Sequence, residues 1–252
     1  MRYNDKMQWI YLSPHFDDVA LSCGGLLWEQ VQAGDSVRIW TVCAGVAPAG
    51  ELSSFAKELH TRWDTDQDAT TQRRLEDIRS CHLLGATYHY LAIPDCIYRR
   101  HPQTGEFLYA SEASLNGSLH PADILFITTL KKELERPIQT DAAFVFPVAL
   151  GNHVDHQLTR LAAEGLERIV WYYADYPYVL RWKEKLEQME QEGWLSQVFP
   201  ISQMGLAAWQ DSIAAHASQI STFWKDEHEM HKAVIDYHKE NQGIRLWRKL
   251  LA

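Results

Sequence analysis

With 252 residues, 46% of them hydrophobic, the chain can bury a substantial core, and no charge run or low-complexity tract points to extended disorder. Its formal net charge of −9 argues against a broad nucleic-acid footprint or an anionic-membrane surface, since both need clustered Lys and Arg. Met1 to Lys6 lacks the apolar centre of a signal peptide, and no run reaches the roughly 18 apolar residues of a membrane helix. The expectation is a cytoplasmic protein with no membrane span.

In chain order, residues 7–13 read as a first strand and 20–33 as a helix stopped by Gly34-Asp35. Residues 37–43 form a second apolar run rich in β-branched side chains, and 44–64 read as a loop. A helix is expected from about Asp66 to Leu84, then a third strand over 88–93 ending at Pro94-Asp95. The segment 96–118 has turn residues and little periodicity, so a long functional loop is expected there. A helix over 119–134, a strand over 142–148, a helix to about Leu166 and a strand over 169–174 follow. Helical stretches are expected at about 178–192, 204–223 and 226–241.

This alternation predicts an α/β fold: a Rossmann-like, mostly parallel sheet with helices on both faces and a mainly helical C-terminal third. One domain over residues 1–252 is expected, with the helical part from about 178. Four cysteines, Cys23, Cys43, Cys81 and Cys96, show no C-x-x-C spacing and are expected to be reduced.

Two clusters carry the chemistry, Pro14-His15-Phe16-Asp17-Asp18 and His153-Val154-Asp155-His156. Each follows an apolar strand and precedes a helix, and strand ends are where open α/β sheets bind ligands. His15, Asp18 and His156 make a two-imidazole, one-carboxylate set suited to a single zinc ion, with a fourth position left for water. Such an ion lowers the pKa of bound water from 15.7 to about 7. Asp17 is the expected general base. His153, one helical turn before His156, is placed to bond an oxyanion or protonate a leaving amine, and Asp155 to orient an imidazole. The plainer alternative is that Asp17 or Asp18 only caps the following helix, and that a chain with 12 histidines contains one His-x-x-His pair by chance.

Ser13-Pro14-His15-Phe16-Asp17-Asp18 through Gly24-Gly25, with Gly151-Asn152-His153-Val154-Asp155-His156-Gln157, resembles the two signature motifs of the PIG-L/LmbE-like zinc-dependent N-deacetylases. Weaker matches are Arg73-Arg74-Leu75-Glu76, Pro94-Asp95, the segment 172–178 and the segment 215–220. The resemblance implies hydrolysis of an N-acetyl group on an N-acetylglucosamine-type amino sugar or glycoconjugate. It implies zinc on His15, Asp18 and His156, Asp17 as base, His153 as helper, and Arg74 and Asp95 near the sugar. The partner implied is a small N-acetylated sugar. Gly151 stands where some relatives carry Tyr, so carbonyl polarisation would fall to His153 or the metal.

Other readings use the same residues. One is a metal-dependent amidase or esterase acting on a different acyl group, and another is a non-catalytic binding protein of this fold. A dinucleotide-binding module is disfavoured, because Gly24-Gly25 is not part of a G-x-G-x-x-G pattern.

Overall fold

The apolar runs near the N-terminus become adjacent parallel strands. A computed structural model describes residues 6–63, 69–135, 142–164, 166 and 170–249. Strands β1 (Gln8–Ser13), β2 (Ser36–Thr41), β3 (Thr87–Tyr90), β4 (Ala143–Pro147) and β5 (Val170–Tyr173) lie in the order β3-β2-β1-β4-β5. β1 sits centrally, with Trp9 opposite both Val37 of β2 and Ala143 of β4. Burial on both faces explains why β1 and β4 read as continuous apolar runs rather than alternating ones.

Ten α-helices are seen among the described residues. They are α1 (Asp18–Gln32), α2 (Ser54–Arg62), α3 (Ala69–Leu84), α4 (Glu112–Leu115), α5 (Ile124–Glu135), α6 (Val154–Ala163), α7 (Lys183–Gln191), α8 (Gln203–Ala214), α9 (Ala217–Phe223) and α10 (Glu227–Asn241). α1, α3 and α8 pack together, as do α5 and α6. Right-handed crossovers place these two groups on opposite sides of the sheet. None of the described helices is long and apolar enough to cross a membrane.

Two strands in the final third were not expected. β6 (Leu195–Phe199) and β7 (Ile244–Arg248) extend the sheet to seven strands, with β7 antiparallel to both β5 and β6. β6 is largely exposed and gives little apolar signal. β7 buries Ile244, Leu246 and Trp247, but Arg245 and Arg248 break up the apolar run. The stretch 44–64, expected as loop, contains α2, whose N-cap Ser53 accepts the Ala56 N–H at 3.0 Å. The expected helix over 204–223 is broken at His216 into α8 and α9. The expected starts at Asp66 and at residue 169 lie outside the described residues.

Gly24 and Gly25 lie inside α1 and serve helix packing. A Cβ on Gly24 would stand 2.7 Å from Trp209 Cδ1, and one on Gly25 would stand 3.0 Å from Ile201 Cγ2. The absent side chains let α8 approach α1 closely. The indole of Trp209 donates to the carbonyls of Ala20 and Leu21, both at 3.0 Å.

Between β1 and β4 the chain connections diverge to opposite sides of the sheet. The carboxyl ends of these strands therefore border a crevice, and both histidine motifs begin there.

Candidate active site

The turn after β1 is folded by its own side chains. Ser13 Oγ donates to the His15 carbonyl at 2.6 Å and accepts the Val19 N–H at 3.2 Å. Asp18 Oδ2 accepts the His15 backbone N–H at 2.7 Å and lies 3.2 Å from His15 Nδ1. Asp17 occupies the N-cap position of α1, yet its side chain makes no capping bond. It meets Arg73 Nη2 at 3.1 Å instead.

The loop after β4 turns sharply, with positive φ at Ala149, Gly151 and Asn152. His153 then caps α6, its Nδ1 accepting the Asp155 N–H at 3.2 Å. An accepting Nδ1 leaves the proton of a neutral ring on Nε2, where it can be donated. One turn later His156 brings Nε2 to 3.3 Å from Asp18 Oδ1. His15, His153 and His156 each bring a ligating nitrogen within 4.8 Å of the others.

The outer nitrogens of the two histidines flanking Asp18 are held by carboxylates. His15 Nε2 lies 3.0 Å from Asp155 Oδ2, and His156 Nδ1 lies 2.6 Å from Asp175 Oδ1. Asp175 Oδ2 accepts the Leu150 N–H at 2.9 Å, tying the β5 turn to the loop before His153. Asp155 also accepts the Cys96 N–H at 3.1 Å and pairs with buried Arg99. Arg99 in turn meets Asp123 at 2.8 Å, and Asp123 takes the Tyr109 hydroxyl at 2.7 Å. Carboxylate-backed imidazoles with their other nitrogens turned to a shared carboxylate are the usual arrangement of metal-ligating histidines. Two imidazoles and one carboxylate fit a divalent ion such as zinc.

Electrostatics separates these groups. Burial opposes charging His156, but the Asp18 carboxylate and the hydrogen bond to Asp175 lift it to about 9. His15 is also raised, with burial opposing and Asp18 and Asp95 favouring its charged form. Burial raises the Asp18 carboxyl, and the neighbouring His156 and His15 overcome it and hold the group well below the usual range. His153 goes the other way: burial, then the nearby His15 and His156 rings, push it well below 6.5. It is the neutral imidazole of the set.

These groups open into a cavity of about 110 Å³, room for roughly three or four waters. His15, Asp17, Asp18, Asp95 and His153 line its polar part, and Trp63, Tyr178 and Phe223 contribute rings. Asp95 Oδ2 is 3.8 Å from both His15 Nε2 and Arg73 Nη1, while its Oδ1 accepts the Ile97 N–H.

Arg74, by contrast, does not line this cavity; its Nη2 donates to the Ala44 carbonyl at 2.7 Å. The neighbouring Arg73 stands there instead, its guanidinium 4.9 Å from the Trp63 ring and 5.7 Å from the Phe16 ring. Sequence reasoning also missed the contacts of Asp175 and Arg99. The sequence signals for Asp175 were its place directly after an apolar strand and within the weakly matching segment 172–178. His60 is buried, its Nε2 2.7 Å from the Tyr98 hydroxyl. All four cysteines are buried free thiols.

Residues 10–166 match the family model described as PIG-L, GlcNAc-PI de-N-acetylase. The chain belongs to the PIG-L family. Among curated relatives of this PIG-L chain is the 2'-N-acetylparomamine deacetylase of Niallia circulans, 31% identical over 209 residues and covering 75% of this chain and 73% of that protein. The protein of the same name from Streptomyces fradiae is 29% identical over 177 residues, covering 67% and 57%. In fold, the PIG-L chain is similar to the zinc inhibited form of a teicoplanin deacetylase, with a TM-score of 0.80 at 23% identity over 98% of this chain and 100% of that one. The N,N'-diacetylchitobiose deacetylase of Pyrococcus horikoshii aligns with a TM-score of 0.54 at 16% identity, over 98% and 84%.

Proposed function

We propose that this chain is a metal-dependent N-deacetylase that hydrolyses the acetamide of an N-acetylated amino sugar, with zinc as the metal. The observation that carries the reading is the division of labour among neighbouring groups. His15, Asp18 and His156 face one another with their outer nitrogens anchored, while Asp17 and neutral His153 share the cavity outside that set. The names of the curated relatives support an acetylated amino-sugar substrate. The cavity, of about 110 Å³, has room for an acetamide.

His15 Nδ1, an Asp18 oxygen and His156 Nε2 would hold the ion. When bound, it supplies Lewis-acid polarisation and a more acidic water. Asp17, oriented by Arg73, takes a proton from the attacking water as its oxygen adds to the carbonyl carbon. His153 donates its Nε2–H to the oxygen that becomes negative. The tetrahedral carbon then expels nitrogen as Asp17 returns the proton to it. One water and one acetamide give acetate and a free amine. Asp155 and Asp175 hold the two imidazoles in place throughout.

The test is acetate release from 2'-N-acetylparomamine, N,N'-diacetylchitobiose and an N-acetylglucosaminyl lipid, with metal content measured on the same preparations. Turnover of one of them by wild type, lost in Asp17→Asn with metal retained, is expected. A metal-loaded wild type that releases no acetate from the panel would rule the deacetylase reading out. Faster turnover of longer N-acyl analogues would favour the broader amidase reading.

A further inference from the structure

We propose that Tyr178 is a further catalytic residue of this site, its hydroxyl donating a hydrogen bond to the oxygen of the acetamide carbonyl. The inference rests on the deacetylase reading above.

Tyr178 opens the short helical turn Tyr178–Arg181, three residues after Asp175. Asp175 anchors His156 through its carboxylate, and its backbone carbonyl accepts the Val179 N–H at 2.9 Å. The tyrosine is thus fixed to the same short turn that holds a candidate ligand.

Its ring is confined by three neighbours. It stands edge-on to His156 with centroids 6.1 Å apart, and edge-on to Phe223 at 5.8 Å. The third neighbour is Gly151, where a Cβ would approach Tyr178 Cδ1 to 3.0 Å. Gly151 has φ of 82°, a conformation natural to glycine, so the loop leading to His153 leaves the space the tyrosine ring occupies.

Tyr178 lines the cavity together with His15, Asp17, Asp18 and His153. Among the described residues its hydroxyl meets no hydrogen-bond partner, while its ring stands against His156, Phe223 and Gly151. A tyrosine hydroxyl, with an ordinary pKa near 10, is protonated at neutral pH and can donate. His153 supplies one donor for a developing oxyanion, and such sites gain from a second donor fixed beforehand. No proton is transferred by Tyr178; the bond strengthens as charge grows on oxygen.

The experiment compares metal-loaded wild type and Tyr178→Phe, which keeps the ring against His156 and Phe223. Steady-state acetate release is measured on the N-acetylated amino sugar that wild type turns over best. The expected result is a kcat lowered about 100-fold, with KM within about threefold and metal content unchanged. A kcat within about twofold of wild type, a change in KM alone, or a fall in kcat that tracks metal loss would each overturn the assignment. A wild type silent on every N-acetyl sugar would instead overturn the deacetylase reading, and this inference with it.

Discussion

Arg73 reaches across from α3 to place its Nη2 3.1 Å from Asp17 Oδ1, so the carboxylate at the first position before α1 serves the cavity rather than the helix. The guanidinium is itself positioned by the rings of Trp63 and Phe16. Replacing Arg73 by Met removes the bond that fixes Asp17, the proposed base, and leaves it free to turn. The expected effect is a kcat lowered about 10- to 100-fold, with metal content retained. Acetate-release kinetics beside metal analysis checks it; unchanged kcat would show that Asp17 needs no such support.

Asp175 is the corresponding support for His156, a proposed metal ligand. Asp175→Asn weakens the 2.6 Å contact that orients His156 and makes its ring more basic. Metal affinity is expected to fall about 10- to 100-fold, measured by competition with a chelating indicator. Affinity equal to wild type would mean that the α6 backbone alone sets the ring.

Asp77, on α3, gives a pH dependence of stability. Burial pushes its carboxyl up to about 7, although the Tyr90 hydroxyl, at 2.7 Å, favours the ionised form. Between about pH 4 and pH 7 the folded chain therefore holds a proton at Asp77 that the unfolded chain has released. Stability contributed by this group is intact below about pH 4, falls through that window and stays lower above pH 7. Asp77→Asn should show a shallower fall than wild type over that range, by up to a few kcal/mol in urea unfolding. Parallel curves for the two proteins would contradict the assignment.

Gly24 is expected to tolerate no side chain. Alanine in a helix is worth up to about 1 kcal/mol over glycine, but overpacking costs about 1–3 kcal/mol. The second effect wins because Trp209, the neighbour at 2.7 Å, is tethered to two carbonyls of α1. Gly24→Ala should lower Tm by about 2–6 °C in a thermal melt. A raised Tm would mean that α8 can move away freely.

The central strands β1 and β4 were legible because burial on both faces writes them as uninterrupted apolar runs, as in Trp9-Ile10-Tyr11-Leu12. β6 and β7 escaped detection: Leu195-Ser196-Gln197 is exposed, and Arg245 and Arg248 interrupt the other strand. At the site, residues within one motif could be grouped from spacing, as His15 with Asp18 or His153 with His156. Partners brought in from elsewhere could not. Arg73 and Arg74 are neighbours about 100° apart around a helix, and sequence does not say which faces inward. The structure turns Arg73 to the cavity and Arg74 to the Ala44 carbonyl. Asp175 and Arg99 act through contacts that only the assembled sheet creates.

The adjacency of β1 and β4 also bears on how the chain folds. Trp9, Ile10 and Tyr11 pair with Ala143, Phe144 and Val145, so the two halves of the proposed ligand set are joined by strands far apart in the chain. Contacts this distant in sequence form slowly. A metal ion offered during refolding would find no complete set of ligands until the two strands meet, and the onset of tight binding would time that encounter.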